Sequence, residues 1–404
     1  MGIILTKEQN DIVNEAYHWF YNSSEQVFQY CGGAGRGKSV VMNAIINRLG
    51  FELDEVLPMA YTGVASLVMR TKGLYNAKTI HSSLYTPVRQ YQVDGKTGIL
   101  IMDDYLNRPK TKMGFEPKDI SGIRLMAIDE GGTVPYKMKH EIESRGVKIL
   151  VCGDNDQLPP VKDKAAYLQS GKIHHITQPM RQSEDDGIFY ISERARLNLP
   201  IHKGYYGNAL VIDEDELTTD MILFSDVVIC ATNKTREYYN KHIREDILRI
   251  NSDLPQLGER LICRGNNWNL EVDGINLVNG LSGEVINNPD VSSFDGKTYR
   301  VDFHPFLANK PFNHIPCNYK YLTSHYSEKQ NIKNNPYEQG EMMEFGYCIS
   351  TYLSQGSEHA NVLYIDEDFI PDLERRSRYV GCSRATNFLI YVKKKKRFFF
   401  RWVK

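Results

Sequence analysis

The stretch CGGAGRGKSVV, residues 31–41, has glycine at four of the six positions from 32 to 37, followed by Lys38 and Ser39. A chain gives up side chains in this way where its backbone must come very close to something. Gly32-x-x-x-x-Gly37-Lys38-Ser39 is a full phosphate-loop pattern, and its flanks fit. VFQYC before it reads as a strand, and KSVVMNAIINRL after it has helical apolar spacing. Strand, loop and helix in that order constrain the fold more than any other stretch, because the helix must pack back on a sheet. The loop from Gly32 through Gly33, Ala34, Gly35, Arg36 and Gly37 then curls its backbone N–H groups round an anion at a helix N-terminus. Lys38 reaches the β- and γ-phosphates of a nucleoside triphosphate, and the Ser39 hydroxyl binds Mg²⁺.

The rest of the first third keeps the same rhythm. VLPMAYTG, IRLMAIDE and VKILVCGD are short apolar runs ending in polar residues or glycine, which predicts a parallel sheet covered on both faces. Residues 84–122 break the rhythm. YTPVRQYQVDGKTGILIM alternates around an Asp-Gly turn and predicts a hairpin over 85–102, followed by a polar, lysine-bearing stretch. A second strand–turn–helix rhythm begins at DVVICATNKTREYYNKHIREDILRI. Residues 251–340 are rich in strand and turn signals, the pattern of a small barrel. Strands and helices resume at FGYCISTYLSQGSEHANVLYIDED. The expectation is α/β: two parallel-sheet units, each interrupted by a mostly β insertion.

Composition excludes some classes. A net charge of -1 gives no overall basic field, so any nucleic-acid surface must be a local patch. The seven cysteines form no CxxC pair and read as buried thiols in a reduced compartment. The eleven histidines show no metal-ligand spacing, and no apolar run is long enough to span a membrane. MGIILT has no basic flank or cleavage site of a signal peptide; it fits a loose acylation pattern, but the residues after it fit another role.

LMAIDEGG supplies the loop's chemical partner. Asp129, at the end of a buried strand, is placed to hold Mg²⁺ through water, and Glu130 to polarise the attacking water. A strand-end acidic pair downstream of a phosphate loop points to triphosphate hydrolysis, a reaction governed by positioning and electrostatics.

GGAGRGKS, AIDE, GDNDQLPP, QPMRQ, YLSQGSE and YVGCSRA occur in the order found in superfamily 1 helicases. From Gln9 to Arg384 the chain resembles the 5′-to-3′ branch that includes RecD and the bacteriophage Dda helicase, and most nearly the latter. The resemblance implies two RecA-like units, residues 1–83 with 123–180 and residues 181–250 with 341–404. It also implies an inserted pin at 84–122 and an SH3-like barrel at 251–340. It implies an ATP-dependent, Mg²⁺-requiring DNA helicase that moves 5′ to 3′ on single-stranded DNA in replication, recombination or repair. Its partners are single strands and fork junctions, with a single-strand-binding or replication protein beside them. The protein is then a cytoplasmic monomer, in the host cytoplasm if the chain is phage-encoded. An alternative with the same motifs is a strand-stimulated translocase that displaces bound proteins without processive unwinding.

Residue roles follow from the same resemblance. Gln9 reads the adenine edge, and Gly356 joins the nucleotide-contacting positions. Asp154 and Gln157 link the γ-phosphate site to the DNA groove. Arg181 and Arg384 approach the γ-phosphate from the second unit, where a guanidinium fork neutralises spreading charge. Thr62, Gly63, Thr79 and His81 grip DNA phosphates, with Tyr61 beside them, and Ser350, Tyr352 and Leu353 stand where relatives carry threonine, histidine and lysine, so one charge is lost. Two further departures are Arg36 in place of a usual threonine, and Gly131-Gly132 where a serine is common. Tyr85, Pro87 and Tyr91 are candidates for the strand-splitting wedge. The tail KKKKRFFFRWVK reads either as a DNA or partner contact or as a lysine-guarded strand edge.

Overall fold

The computed structural model describes residues 5–91, 97, 100, 111–178, 186–289, 294–334 and 338–394. In chain order the first unit carries β1 (Val27–Gly32), β2 (Val56–Ala60), β3 (Lys78–Thr79), β4 (Tyr85–Tyr91), β5 (Thr111–Pro117), β6 (Leu125–Asp129), β7 (Lys148–Gly153) and β8 (Ile173–Ile176). All but β4 and β5 form one sheet in the order β3-β2-β6-β7-β1-β8, with every pair parallel. The central strands are apolar along their length because both faces are covered. Leu125, Ala127, Leu150 and Cys152 face a core built with Ile12, Met42 and Ile45. The alternate residues Met126, Ile128, Ile149 and Val151 face a second core with Ile80, Leu84 and Ile142. The helix Lys7–Asn22 starts in a capping box between Thr6 and Gln9.

The second unit adds β9 (Gly204–Tyr206), β10 (Ala209–Asp213), β11 (Val227–Cys230), β12 (Arg260–Cys263), β13 (Asn267–Val272), β14 (Ile275–Leu277), β15 (Ser282–Val285), β16 (Thr298–Pro305), β17 (Phe312–Asn318), β18 (Met343–Phe345), β19 (Cys348–Ser350), β20 (His359–Ile365) and β21 (Ala385–Lys393). Its sheet runs β19-β11-β20-β21-β10-β9 and is parallel except at the edge strand β9. Between β11 and β19 the chain makes a five-stranded antiparallel sheet, β17-β16-β15-β12-β18, over Tyr299, Phe303 and Phe312. Its two edges are stitched together, since Glu341 N–H donates to Pro316 O at 2.7 Å and Asn318 N–H donates to Glu341 O at 2.9 Å. The result is a small barrel. Two parallel-sheet α/β units with β insertions are thus the fold the sequence predicts. All seven cysteines are buried and unpaired, and among the described residues no helix is long and apolar enough to cross a membrane.

The hairpin prediction needs a correction. β4 does pair antiparallel, but its partner is TKMGFEP (β5) rather than GILIM, with Tyr85 opposite Pro117 and Tyr91 opposite Thr111. The register sets Phe115 opposite Pro87, on the same face as Tyr85, whose ring centroid lies 6.3 Å from that of Phe115. Cross-strand aromatic packing, which a local turn signal does not report, fixes this pairing. The Asp94-Gly95 turn lies outside the described residues.

The helix Gly187–Arg196 is pinned at its start. Asp186 caps it through Phe189 N–H at 3.0 Å, and Ile188 N–H donates to Asn208 Oδ1 at 3.0 Å. A Cβ on Gly187 would lie 1.6 Å from the Tyr206 carbonyl oxygen, a backbone atom that cannot swing away. Gly187→Ala should therefore cost about 1–3 kcal/mol of overpacking strain, measured by urea denaturation; unchanged stability would mean that this close approach does not hold in solution.

Candidate nucleotide site at the seam between two α/β units

β1 ends at Gly32 and the helix Lys38–Leu49 begins six residues later. Gly35 (φ 72°) and Gly37 (φ 78°) take left-handed backbone, which closes the loop round its own N–H groups. Lys38 is held in this curl, its Nζ donating to Gly33 O at 3.2 Å. Burial alone would depress its ammonium, but Asp154, Glu130 and Asp129 outweigh that and hold its pKa above the usual lysine value. Ser39 follows in the first helical turn.

The three carboxylates converge from neighbouring strands. Asp129 closes β6 and accepts from Glu130 N–H at 2.8 Å and from the Cys152 thiol at 3.0 Å. Glu130 sits at φ 53°, a left-handed conformation that costs a non-glycine residue about 1–3 kcal/mol. Its Oε1 accepts from Gln157 Nε2 at 3.3 Å, while Glu130 Oε2 and Gln157 Oε1 are buried without a partner. Burial raises the Glu130 carboxyl first and the Asp129 charge raises it further, against opposition from Lys38 and Arg384. A buried acceptor without a donor on each of two hydrogen-bonded side chains suits an ordered water molecule. The glycines after Glu130 have a packing reason. A Cβ on Gly131 would lie 2.3 Å from Val151 Cγ1, and one on Gly132 would lie 3.0 Å from Asp154 O. Any larger residue would push this turn off β7. The hydroxyl of Ser39 and the carboxylate of Asp129 are hard oxygen donors of the kind Mg²⁺ prefers, and the site offers few enough of them to leave the ion its waters. Among the described residues no group of three or more His, Cys, Asp or Glu forms a metal cage.

The second unit closes over this site through the loop after β7. Arg375 Nη1 pairs with Asp156 Oδ1 at 2.7 Å, and Arg376 Nη1 donates to Asn155 O at 2.7 Å and to Gln157 O at 2.6 Å. Gln355 Nε2 donates to Leu158 O at 2.9 Å. Tyr379 reaches furthest: its hydroxyl accepts Ala34 N–H at 2.7 Å and donates to the Asp154 carboxylate. Arg375, Arg376 and Tyr379 all come from the helix Pro371–Cys382. Tyr379 follows Arg375 by four residues and Arg376 by three, so the sequence shows that each arginine neighbours the tyrosine on the helix but not what they touch.

The expected residues are not all gathered here. Arg384 is buried in the second unit, with its guanidinium on Val380 O at 3.1 Å and Ser357 O at 3.2 Å, and Glu130 feels its charge. Arg181 lies outside the described residues. Gln9 is fully buried: its Oε1 accepts Thr6 N–H at 2.9 Å, and its Nε2 donates to Arg36 O at 3.1 Å. It braces the phosphate loop from behind. The nearest atoms to a Cβ on Gly356 belong to Ala65 in the helix Gly63–Thr71, so this glycine marks a close approach of the two units.

A separate cleft runs between the first unit and the β13–β14 hairpin. Thr79, His81, Arg70, Lys78, Tyr75 and Phe115 are among the residues that line it. Gly63 meets the barrel directly, since a Cβ there would lie 2.4 Å from Val278 Cγ2, and Arg70 donates to the Gly274 carbonyl. Thr62 and Thr79 cap helices through Ala65 N–H at 3.2 Å and Ser82 N–H at 3.3 Å. Ser350 and Tyr352 sit in the second unit. Ser350 is buried at the end of β19, and burial raises the Tyr352 hydroxyl against the nearby charge of Arg376.

Residues 4–198 match the family described as "AAA domain". No curated protein sequence matches the chain. Among solved structures, the Candida albicans Pif1 helicase matches at 17% identity and a TM-score of 0.51, over 97% of this chain and 95% of that one. Bacteroides Pif1 bound to single-stranded DNA matches at 16% identity and a TM-score of 0.54, over 96% and 92%. A structure of two coordinating Pif1 helicases at forked double-stranded DNA matches at 17% identity and a TM-score of 0.55, over 96% and 92%. The chain has the fold of the Pif1 helicases.

Tyr379 offers a direct check of the seam. Tyr379→Phe leaves the Ala34 N–H and the Asp154 carboxylate without their shared partner. It should lower stability by about 1–3 kcal/mol in urea denaturation; no loss would mean the hydroxyl is not buried between the two units.

Proposed function

We propose that this chain is an ATP-dependent DNA helicase that moves along single-stranded DNA from 5′ to 3′ and separates duplex ahead of it. The observation that carries the reading is the division of the site. The phosphate loop and Glu130 belong to one α/β unit, while Tyr379, whose hydroxyl accepts Ala34 N–H, and Arg384, whose charge acts on Glu130, belong to the other. A triphosphate held there has its charge read by both halves, so its cleavage changes how they fit together.

The backbone of Gly32 to Gly37 cradles the phosphates, with Lys38 on the β- and γ-phosphates. Ser39 and Asp129 hold Mg²⁺, which supplies charge neutralisation at the phosphates when bound. Glu130 and Gln157, each with a buried acceptor left over, orient the attacking water, and Glu130 takes its proton. Arg384 and Arg181 stabilise charge developing on the γ-phosphoryl oxygens. Gln9 sets the base side of the pocket and Gly356 the approach of the second unit. The domain division is residues 1–83 with 123–180, residues 84–122, residues 181–250 with 341–404, and residues 251–340.

For the strand we propose the cleft beside β13–β14. Arg70 and Lys78 supply phosphate-seeking charge, while Tyr75 (73% exposed) and Phe115 (57% exposed) offer faces for bases. Thr62, Gly63, Thr79 and His81 belong to the same track, and Ser350 and Tyr352 continue it on the second unit. The Pif1 folds solved with single-stranded and forked DNA support the substrate class. The spelling of the motifs supports the branch with RecD and Dda, and with it the polarity.

Strand displacement tests this directly. With ATP and Mg²⁺ the protein should release the labelled strand from a duplex carrying a 5′ single-stranded overhang and leave a 3′-overhang duplex intact, and Lys38→Ala should leave both duplexes intact. DNA-stimulated phosphate release without displacement would support a translocase instead. A second expectation concerns pH. Glu130 works ionised and its carboxyl is held above the usual 4.5. The turnover number at saturating ATP and DNA should therefore fall on acidification at a higher pH than an unperturbed glutamate gives, and recover as pH rises. A profile flat from about pH 5 to 8 would count against Glu130 as the base.

A further inference from the structure

Arg36 is the residue where this phosphate loop departs most from the pattern it resembles, and its side chain does not point to solvent. Its Nη1 donates to Ile176 O at 3.2 Å, and its Nη2 pairs with Glu193 Oε2 at 3.2 Å. Ile176 closes β8 of the first unit, while Glu193 lies in the helix Gly187–Arg196 of the second. The third nitrogen, Nε, is buried with no partner. It lies over the loop itself: a Cβ on Gly33 would be 3.2 Å from Arg36 Nε and 3.2 Å from the Tyr379 hydroxyl. The guanidinium therefore stands at the mouth of the loop, bound to a carboxylate on one side and open on the side facing the cradle. A cavity lined by Ala34, Gly35, Ser192, Glu193 and Tyr379 opens beside it.

Glu193 is not a simple partner. It also pairs with Arg196 at 2.6 Å, Arg196 pairs with Asp156 at 3.1 Å, and Asp156 pairs with Arg375 at 2.7 Å. Read in order, Arg36, Glu193, Arg196, Asp156 and Arg375 alternate in sign and cross the seam three times. Burial pushes the Asp156 carboxyl up, yet Arg375 and Arg196 outweigh it and hold it below the usual range. Arg36 is the end of this chain, with one carboxylate on it and an unsatisfied N–H. Glu193 can lose Arg36 and still keep Arg196.

We propose that Arg36 is a nucleotide-phosphate ligand supplied by the loop itself, and that it exchanges Glu193 for a phosphate oxygen when nucleotide binds. The proposal rests on the reading of the loop as an ATP site and deepens it. A guanidinium fork prefers a phosphate with two negative oxygens to a carboxylate already shared with a second arginine. The exchange satisfies the open N–H and detaches one end of the ion chain, so nucleotide arrival is felt at the seam. Glu193 then acts as a competitor that weakens nucleotide binding.

The test is a double-mutant cycle on binding of a ribose-labelled fluorescent ATP (mant-ATP) with Mg²⁺, using the whole chain and with melting checked for each variant. Arg36→Thr should weaken binding about tenfold, the value of one charge-assisted contact. Glu193→Gln, which keeps the shape and removes the competing charge, should tighten binding about threefold or more, and should do nothing in the Arg36→Thr background. Binding that is unchanged or weakened by Glu193→Gln, or an equal effect in both backgrounds, would overturn the exchange while leaving the loop assignment standing. A wild-type chain that fails to bind mant-ATP, or that binds it no better than Lys38→Ala, would overturn the loop assignment and this proposal with it.

Discussion

The loop Asp154–Leu158 is the constraint on which the rest of the molecule depends. It leaves β7 in the centre of the first sheet and is grasped by the second unit. Arg376 takes two of its carbonyls, Arg375 one of its carboxylates, Gln355 a third carbonyl, and Tyr379 the Asp154 side chain. Buried backbone acceptors must have donors, and buried charges must have partners. Here each half satisfies the other's needs, so moving them apart exposes several unmet groups at once. A contact of this kind has few stable arrangements, which is what a machine that converts a chemical step into a displacement requires.

The corner around Lys38 is built by the same logic at shorter range. Lys38 and Glu130 lie close together, and the carboxylates of Asp129 and Asp154 act on both, holding the lysine charged and raising the glutamate. Glu130 holds a strained backbone and leaves an oxygen without a donor. Such defects cost stability and persist only where the surroundings enforce them. Gly131 and Gly132 do the enforcing, since their lack of side chains lets the turn lie against β7. Dipoles and charges fixed in advance need not reorganise as the reaction proceeds.

Much of this was legible in the sequence because the phosphate loop carries its own structural context. Strand, glycines, lysine and helix fall where the spacing puts them, and β6 and β7 read as continuous apolar runs because both faces of a parallel sheet are covered. What the sequence did not reveal depends on contacts between distant segments. The partner of β4 was misjudged, since a local Asp-Gly turn signal competes with the cross-strand packing of Tyr85 on Phe115. Tyr379 was visible in YVGCSRA, but nothing in the spacing says that its hydroxyl meets Ala34, 345 residues away. Arg36 stood out as a departure, yet only the fold shows that Glu193 waits opposite it. Thr62 and Thr79 illustrate the converse: their local roles as helix caps are plain, and any longer-range role comes from the cleft around them.

If the proposed function holds, a triphosphate is bound between the two units and contacted by both. A crystal structure of the chain with ADP–aluminium fluoride and oligothymidine tests it most directly. The fluoride should lie in the cradle of Gly32 to Gly37, with Arg384 turned from its carbonyl partners toward it and the oligonucleotide in the cleft beside β13–β14. Nucleotide bound away from the seam, or Arg384 still on Val380 and Ser357 with the fluoride in place, would contradict it.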